Sequence, residues 1–217
     1  MRIYYTDVRP LLKNEVWQEK LEWMSEERKN RITKMKIEMD QIRSAAAGIL
    51  LHVMAQTFRF PPEYEWCEGV NGKPYIKGKE DFFFNLSHSG NYAVLACDHS
   101  EIGIDIQERR VTSEAMVSRF LTQEEISELP ENIEERINQV NRLWCIKESY
   151  SKLLGEGLLY STKQCRVDLL AHRIIDEKKE NEQFFFQEYK IEEPYHMAVC
   201  SRNDQFPEEL IYYAIES

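Results

Sequence analysis

The chain has 217 residues, 42% of them hydrophobic and 12% aromatic, enough to bury a real core in one large domain or two small ones and too much for a disordered protein. Its formal charge of −10 argues against a general nucleic-acid binder, and no apolar run approaches the ~20 residues that span a bilayer. MRIYYTDVRP lacks a signal-peptide core, and the widely spread Cys67, Cys97, Cys145, Cys165 and Cys200 contain no CxxC pair, so a cytoplasmic protein with reduced thiols and no membrane or nucleic-acid partner is expected.

In chain order, MRIYY is rich in β-formers and predicts an edge strand, followed by a polar helix over 15–25. From Arg28 to Lys36 the chain reads RKNRITKMK, five basic residues in nine with no acid. Such a run is ordinarily a solvated helix face unless a second signal supplies an anion. The stretch 40–58, containing SAAAGILLHVMAQTF, predicts the strongest helix of the first half, ended by the prolines of FPPEY. Asn71-Gly72-Lys73-Pro74 is turn chemistry between short strands. Phe82–Phe84 and Tyr92–Cys97 read as strands joined by the polar link NLSHSGN, taken as a loop whose N–H groups and hydroxyls can hold phosphate. A further strand covers Ile102–Ile106.

The second half repeats this order with a helix over 139–154 and strands over 184–190 and 195–200; FFFN before YAVLAC is echoed by FFFQ before YHMAVC. The fold class expected is α+β, with two similar α/β subdomains, 1–102 and 103–217, related by a pseudo-twofold and a site at their seam.

Two acids stand out. In Ile102-Gly103-Ile104-Asp105-Ile106-Gln107 the alternation makes a strand with Asp105 and Gln107 on one face, either a strand end reaching solvent or an oxygen ligand of magnesium. In LWCIKESYSKLL, Glu148 and Lys152 lie four apart on one helix face with Trp144 a turn earlier. Spacing alone leaves open whether they are a simple salt bridge or a metal ligand beside a phosphate contact. His88, alone, is ordinarily an exposed polar residue.

Taken together and in order, NGKP (71–74), NLSHS (85–89), GIDIQ (103–107), RFLTQEE (119–125) and WCIKESYSKLLGEGL (144–158) resemble the signature blocks of the surfactin-type 4′-phosphopantetheinyl transferases. The resemblance implies an enzyme that moves the phosphopantetheine arm of coenzyme A to a serine of an apo acyl or peptidyl carrier protein, releasing adenosine 3′,5′-bisphosphate. It also implies that Arg28, Arg31 and Arg43 grip the 3′-phosphate and adenosine end, and that Lys73, Ser87 and His88 contact the nucleotide and its phosphates. Asp105, Gln107 and Glu148 would hold Mg2+, with Mn2+ as the alternative ion, and Lys152 would touch the phosphates. Glu148 is the first candidate for the serine proton, directly or through a water, and Glu125 the second. Lys152 and His88 would steady developing charge.

Many relatives carry GIDIE or GIDVE, so Gln107 removes one negative charge from the metal set. Two other readings fit fewer residues: a magnesium-dependent phosphohydrolase, which explains the acids alone, and a non-catalytic coenzyme A binder, motivated by Gln107. A monomer is expected. The acidic balance opposes long-range attraction to an acidic carrier, which leaves docking to local apolar and basic patches.

Overall fold

A computed structural model describes residues 1–13, 16–61, 66–156 and 162–216. It is a mixed α/β protein with six α-helices among the described residues. The strand β1 (Arg2–Asp7) opens the chain, and α1 (Val16–Glu19) is one turn that tightens at once into a 3-10 turn over Lys20–Trp23. The expected helix over 15–25 is therefore broken, and its first residue lies outside the described residues. Ser25 then caps α2 (Glu26–Thr33), its hydroxyl accepting from the Arg28 N–H at 3.3 Å, so the basic run begins as a helix.

The long helix α3 (Glu38–Thr57) buries Ala45, Ala46, Ala47, Ile49, Leu50 and Met54. Small residues on that face let it lie close to the sheet beneath. Two short strands, β2 (Trp66–Glu68) and β3 (Pro74–Ile76), flank the expected NGKP turn, where Asn71 and Gly72 take positive φ of 64° and 79°. The hairpin β4 (Phe83–Ser89) and β5 (Tyr92–Asp98) follows, and then β6 (Ile102–Glu108).

NLSHS is thus strand, not loop: Leu86 pairs with Leu95 and His88 with Ala93, and the turn is confined to Gly90 and Asn91. A strand alternates its side chains, and β4, the last strand of its sheet, commits only one backbone edge to the β5 ladder.

Beyond β6 come α4 (Glu114–Phe120), α5 (Gln123–Ser127), α6 (Ile133–Leu154), β7 (Cys165–Asp168), β8 (Arg173–Asp176), β9 (Phe184–Glu188), β10 (Tyr195–Ser201) and β11 (Ile211–Tyr212). The first sheet runs β11-β1-β5-β4 and the second β6-β10-β9-β8-β7. β1 is not an edge strand, because it pairs antiparallel with β5 on one side and parallel with β11 on the other. The C-terminal segment crosses back to make that pairing, and Ile215 is buried in the first core.

Each sheet carries its long helix. α3 packs on the first through a core including Tyr4, Phe84 and Leu95, and α6 packs on the second through one including Phe184, Phe186 and Cys200. A third cluster of Ile3, Val94 and Ala96 with Ile104, Met197 and Val199 joins the sheets face to face. The order helix then hairpin recurs, as α3-β4-β5 and α6-β9-β10.

Candidate active site

The close approach of α6 to β6 sets the site. A Cβ on Gly103 would lie 2.0 Å from the Ser149 carbonyl oxygen and 2.4 Å from the Leu153 nitrogen, so only glycine lets the helix cross there. That crossing brings Glu148 and Lys152 over Asp105. Lys152 Nζ donates to Asp105 Oδ1 at 2.6 Å and to the Ile104 carbonyl at 3.1 Å. The ion pair thus forms from the helix to the strand and not within the helix to Glu148.

Three alternate residues of β4 tie it to the edge of β6. Asn85 Oδ1 accepts from the Ile104 N–H at 3.0 Å, Ser87 Oγ donates to Asp105 Oδ1 at 2.7 Å, and Ser89 Oγ accepts from the Glu108 N–H at 2.9 Å. The two strand edges are not paired by a backbone ladder, so side chains stitch the seam and seat Asp105 in it. Period-two spacing of Asn85, Ser87 and Ser89 was the signal in the sequence, hidden by reading the segment as a loop.

The turn Asn71–Pro74 closes one end of the site. Lys73 Nζ donates to the Leu153 carbonyl at 2.6 Å and Asn71 Nδ2 to the Gly155 carbonyl at 3.2 Å, both at the C-terminus of α6. Carbonyls exposed at a helix end attract such donors. Burial lowers the Lys73 pKa, with Arg202 adding to the effect and Glu101 opposing it. Gly155 supplies the left-handed cap, φ 68°.

These elements surround a cleft of about 710 Å³ lined by Arg28 and Arg31 from α2, Lys73, Ser87 and His88, Asp105 and Gln107, and Glu148 and Lys152. Arg28 also donates to the Ser44 carbonyl at 2.9 Å, which fixes α2 against α3. Arg43 stands apart from the lining, donating to the Gly90 carbonyl at 2.9 Å and Asp40 at 3.0 Å, but its charge reaches His88. His88 is exposed at the cleft surface, and partial desolvation there lowers its pKa, with Lys152, Arg43 and Arg28 adding to the effect.

Glu148 is pushed the other way. Burial raises its pKa, the Asp105 charge raises it further, and Lys152 offsets part of this. Two neighbouring carboxylates with an amide oxygen form a hard oxygen donor set that fits a divalent cation completed by substrate phosphates. Gln107 uses its Nε2 on the Glu108 carbonyl at 2.8 Å, and its Oε1 is the atom that could face a cation. No group of three or more His, Cys, Asp or Glu side chains forms a metal cage among the described residues.

Glu125 is not brought to the cleft. Its Oε2 accepts from the Thr122 N–H at 2.8 Å and from Lys147 Nζ at 2.6 Å, and Oε1 accepts from the Val167 N–H at 3.0 Å. A carboxylate 3% exposed with those donors is a structural cap, which corrects its expected role as a second proton acceptor. Lys147, unassigned from sequence, is 1% exposed and donates also to the carbonyls of Phe120, Thr162 and Cys165. Its place on the apolar stripe with Leu143 and Tyr150 was the available signal. Residues 157 and 158 of the last motif lie outside the described residues.

Two family models match the chain: the 4′-phosphopantetheinyl transferase superfamily over residues 101–200, and the N-terminal part of a 4′-phosphopantetheinyl transferase over 10–100. A 4′-phosphopantetheinyl transferase of Bacillus pumilus, psf-1, is 31% identical over 169 residues, 76% of this chain and 72% of that protein. The chain belongs to the 4′-phosphopantetheinyl transferases. Similarity to Sfp of Bacillus subtilis strain 168 is 32% over 150 residues, 67% of this chain and 66% of Sfp, and similarity to ffp of Bacillus subtilis is 28% over 224 residues, covering 100% and 99%. As a 4′-phosphopantetheinyl transferase it is an enzyme that carries phosphopantetheine from coenzyme A to carrier proteins. The phosphohydrolase and non-catalytic readings find no support in these matches.

Proposed function

We propose that the cleft holds coenzyme A with its nucleotide end on Arg28 and Arg31 and its pyrophosphate between Lys152 and the acids, and that the acceptor is a serine of an apo acyl or peptidyl carrier protein. The observation that carries this reading is the convergence in one cleft of Arg28, Arg31, Lys73, Ser87 and His88 with Asp105, Gln107, Glu148 and Lys152. The arginines match the 3′-phosphate, and the acids mark the chemistry.

Asp105, Gln107 and Glu148 are the residues that would hold Mg2+ or Mn2+, which supplies charge neutralisation to the pyrophosphate when bound. Glu148 takes the proton from the serine hydroxyl as its oxygen attacks the β-phosphorus, and adenosine 3′,5′-bisphosphate leaves. Its raised pKa suits that task, since a base too weakly basic would not accept the proton. Lys152 neutralises phosphate oxygens, His88 donates a hydrogen bond to them, and Ser87 keeps Asp105 in place. Arg43 supports the nucleotide wall from behind through its charge on His88.

We also propose that the chain divides near 102/103 into two units related by a pseudo-twofold with this cleft at their seam. The recurrence of helix and hairpin and the meeting of the two matched family regions at 100 and 101 support it.

Intact-mass analysis of apo-carriers incubated with the enzyme, coenzyme A and magnesium tests the reading. Glu148→Gln should abolish modification while coenzyme A binding survives, and a strong chelator should do the same to the wild type. Wild-type modification by Glu148→Gln, or full activity with chelator, would overturn these assignments.

A further inference from the structure

Asp105 is held by two donors that the cleft also offers to substrate. Lys152 Nζ reaches its Oδ1 at 2.6 Å and Ser87 Oγ donates to the same oxygen at 2.7 Å, so one carboxylate oxygen accepts both bonds. Lys152, Ser87, Asp105 and Glu148 all line the cleft. The partners of the ion pair differ in freedom: the Asp105 side chain, on a strand, is 9% exposed, and that of Lys152, on a flexible four-carbon stem, is 28% exposed. The lysine can therefore turn to an incoming anion, and the carboxylate cannot.

The nearby lysines are committed elsewhere, Lys147 to Glu125 and Lys73 to the Leu153 carbonyl. Lys152 is thus the cation set on the acids of the cleft. An ammonium and a divalent cation that share one carboxylate repel each other, and in a part-buried site the repulsion is stronger than in water. The ammonium also gives Asp105 a charge-assisted hydrogen bond, which a cation arriving at the carboxylate has to replace.

We propose that Lys152 competes with the divalent cation for Asp105, and that the pyrophosphate of coenzyme A, by drawing the ammonium off the carboxylate, makes cation and coenzyme A bind cooperatively. The inference rests on the proposed function, which puts that pyrophosphate between Lys152 and the acids. It adds a dependence to that reading: Asp105 prefers the lysine until a phosphate takes the lysine, and prefers the cation afterwards. Linkage makes the effect reciprocal, so the cation tightens coenzyme A by the same factor.

The test reads Mn2+ binding from the paramagnetic resonance signal of the free ion, with no carrier present and no turnover. It uses the full-length wild type, Asp105→Asn, and two neutral replacements, Lys152→Met and Lys152→Gln, each checked by thermal melts with and without Mn2+. In the wild type, coenzyme A should tighten Mn2+ about tenfold or more, within the ordinary range of coupling between sites. In the neutral variants Mn2+ without coenzyme A should bind about tenfold tighter than to the wild type, and the gain from coenzyme A should shrink. Melts of the wild type carry the test even if both lysine variants fail to fold: Mn2+ and coenzyme A together should raise the melting temperature by more than the sum of their separate shifts, and additive shifts overturn the coupling. Mn2+ affinity in a folded neutral variant no higher than in the wild type overturns the competition and leaves the metal assignment intact. Undisturbed Mn2+ binding by Asp105→Asn removes both.

Discussion

Asp105 is 6% exposed, accepts from Ser87 and pairs with Lys152, while Glu148 nearby has its pKa raised by burial and by that same Asp105. The two basic and acidic partners therefore answer differently to mutation. Lys152→Ala strands a buried carboxylate and should lower stability by about 1.5–3 kcal/mol along with transfer. Glu148→Gln removes a charge the fold disfavours, so metal-free protein should melt slightly higher although transfer is lost. Calorimetry beside the mass assay reads both signs; a Glu148→Gln protein that melts lower would mean Glu148 is a structural partner. His196, opposite Gln107 in the β10–β6 register, gives a pH test beside the site. Its pKa is lowered from 6.5 by burial, with Arg142 and Arg109 adding and Glu188 and Glu193 opposing, and its Nε2 meets Asn138 Oδ1 at 3.0 Å. The unfolded chain binds a proton near pH 6.5 that the folded one refuses, so stability present above that pH is lost as pH falls through the window below it. His196→Gln should flatten the slope of melting temperature against pH between neutrality and mild acid.

At the scale of elements, α6 is the organising unit, with Glu148 and Lys152 on its cleft face and Lys147 on its core face. Lys147 holds Glu125 of α5 and three carbonyls of neighbouring segments, so it ties those segments to α6. Lys147→Met leaves Glu125 buried without its cation and should cost about 3–5 kcal/mol. Adding Glu125→Gln should recover part of that loss. Urea midpoints for the single and double variants measure the coupling, and full additivity would show that the pair is not one unit. Helices such as α3 and α6 and the strands at 184 and 195 were legible because apolar period and β-branched or aromatic content agree with the tertiary outcome. NLSHS and Glu125 were misread for a shared reason: a polar residue in a strand or cap looks like a loop or a reactive group until its partner is known, and the partners at Ile104, Glu108, Lys147 and Val167 are distant in sequence. The candidate site residues were proposed from motif order, but their meeting depends on Gly103 and on partners of β4 that lie distant in sequence.

At the scale of the molecule, the first sheet is completed by the last strand of the chain. β11 pairs with β1, the Tyr213 N–H donates to the Tyr5 carbonyl at 2.9 Å, Thr6 Oγ1 donates to the Tyr213 carbonyl at 2.7 Å, and Ile215 is 6% exposed within the first core. A chain that leaves β10 of the second sheet and returns to β1 straps the two halves together, so the first sheet is not closed by its own contiguous sequence. Ending the chain at Glu209 removes these bonds and uncovers the outer edge of β1, a template for pairing with other chains. Ile215→Ala alone should cost about 2–5 kcal/mol, the range for a core isoleucine cut to alanine. The truncation should cost at least as much and should also promote association through β1. The loss should centre on the first sheet: hydrogen exchange should rise most in β1 and β5, with β9 and the far strands of the second sheet changing least. Urea midpoints, light scattering and amide exchange on the two variants decide the point. Unchanged exchange in β1 after truncation would mean that β5 alone holds that strand and that the C-terminal segment is peripheral to the fold.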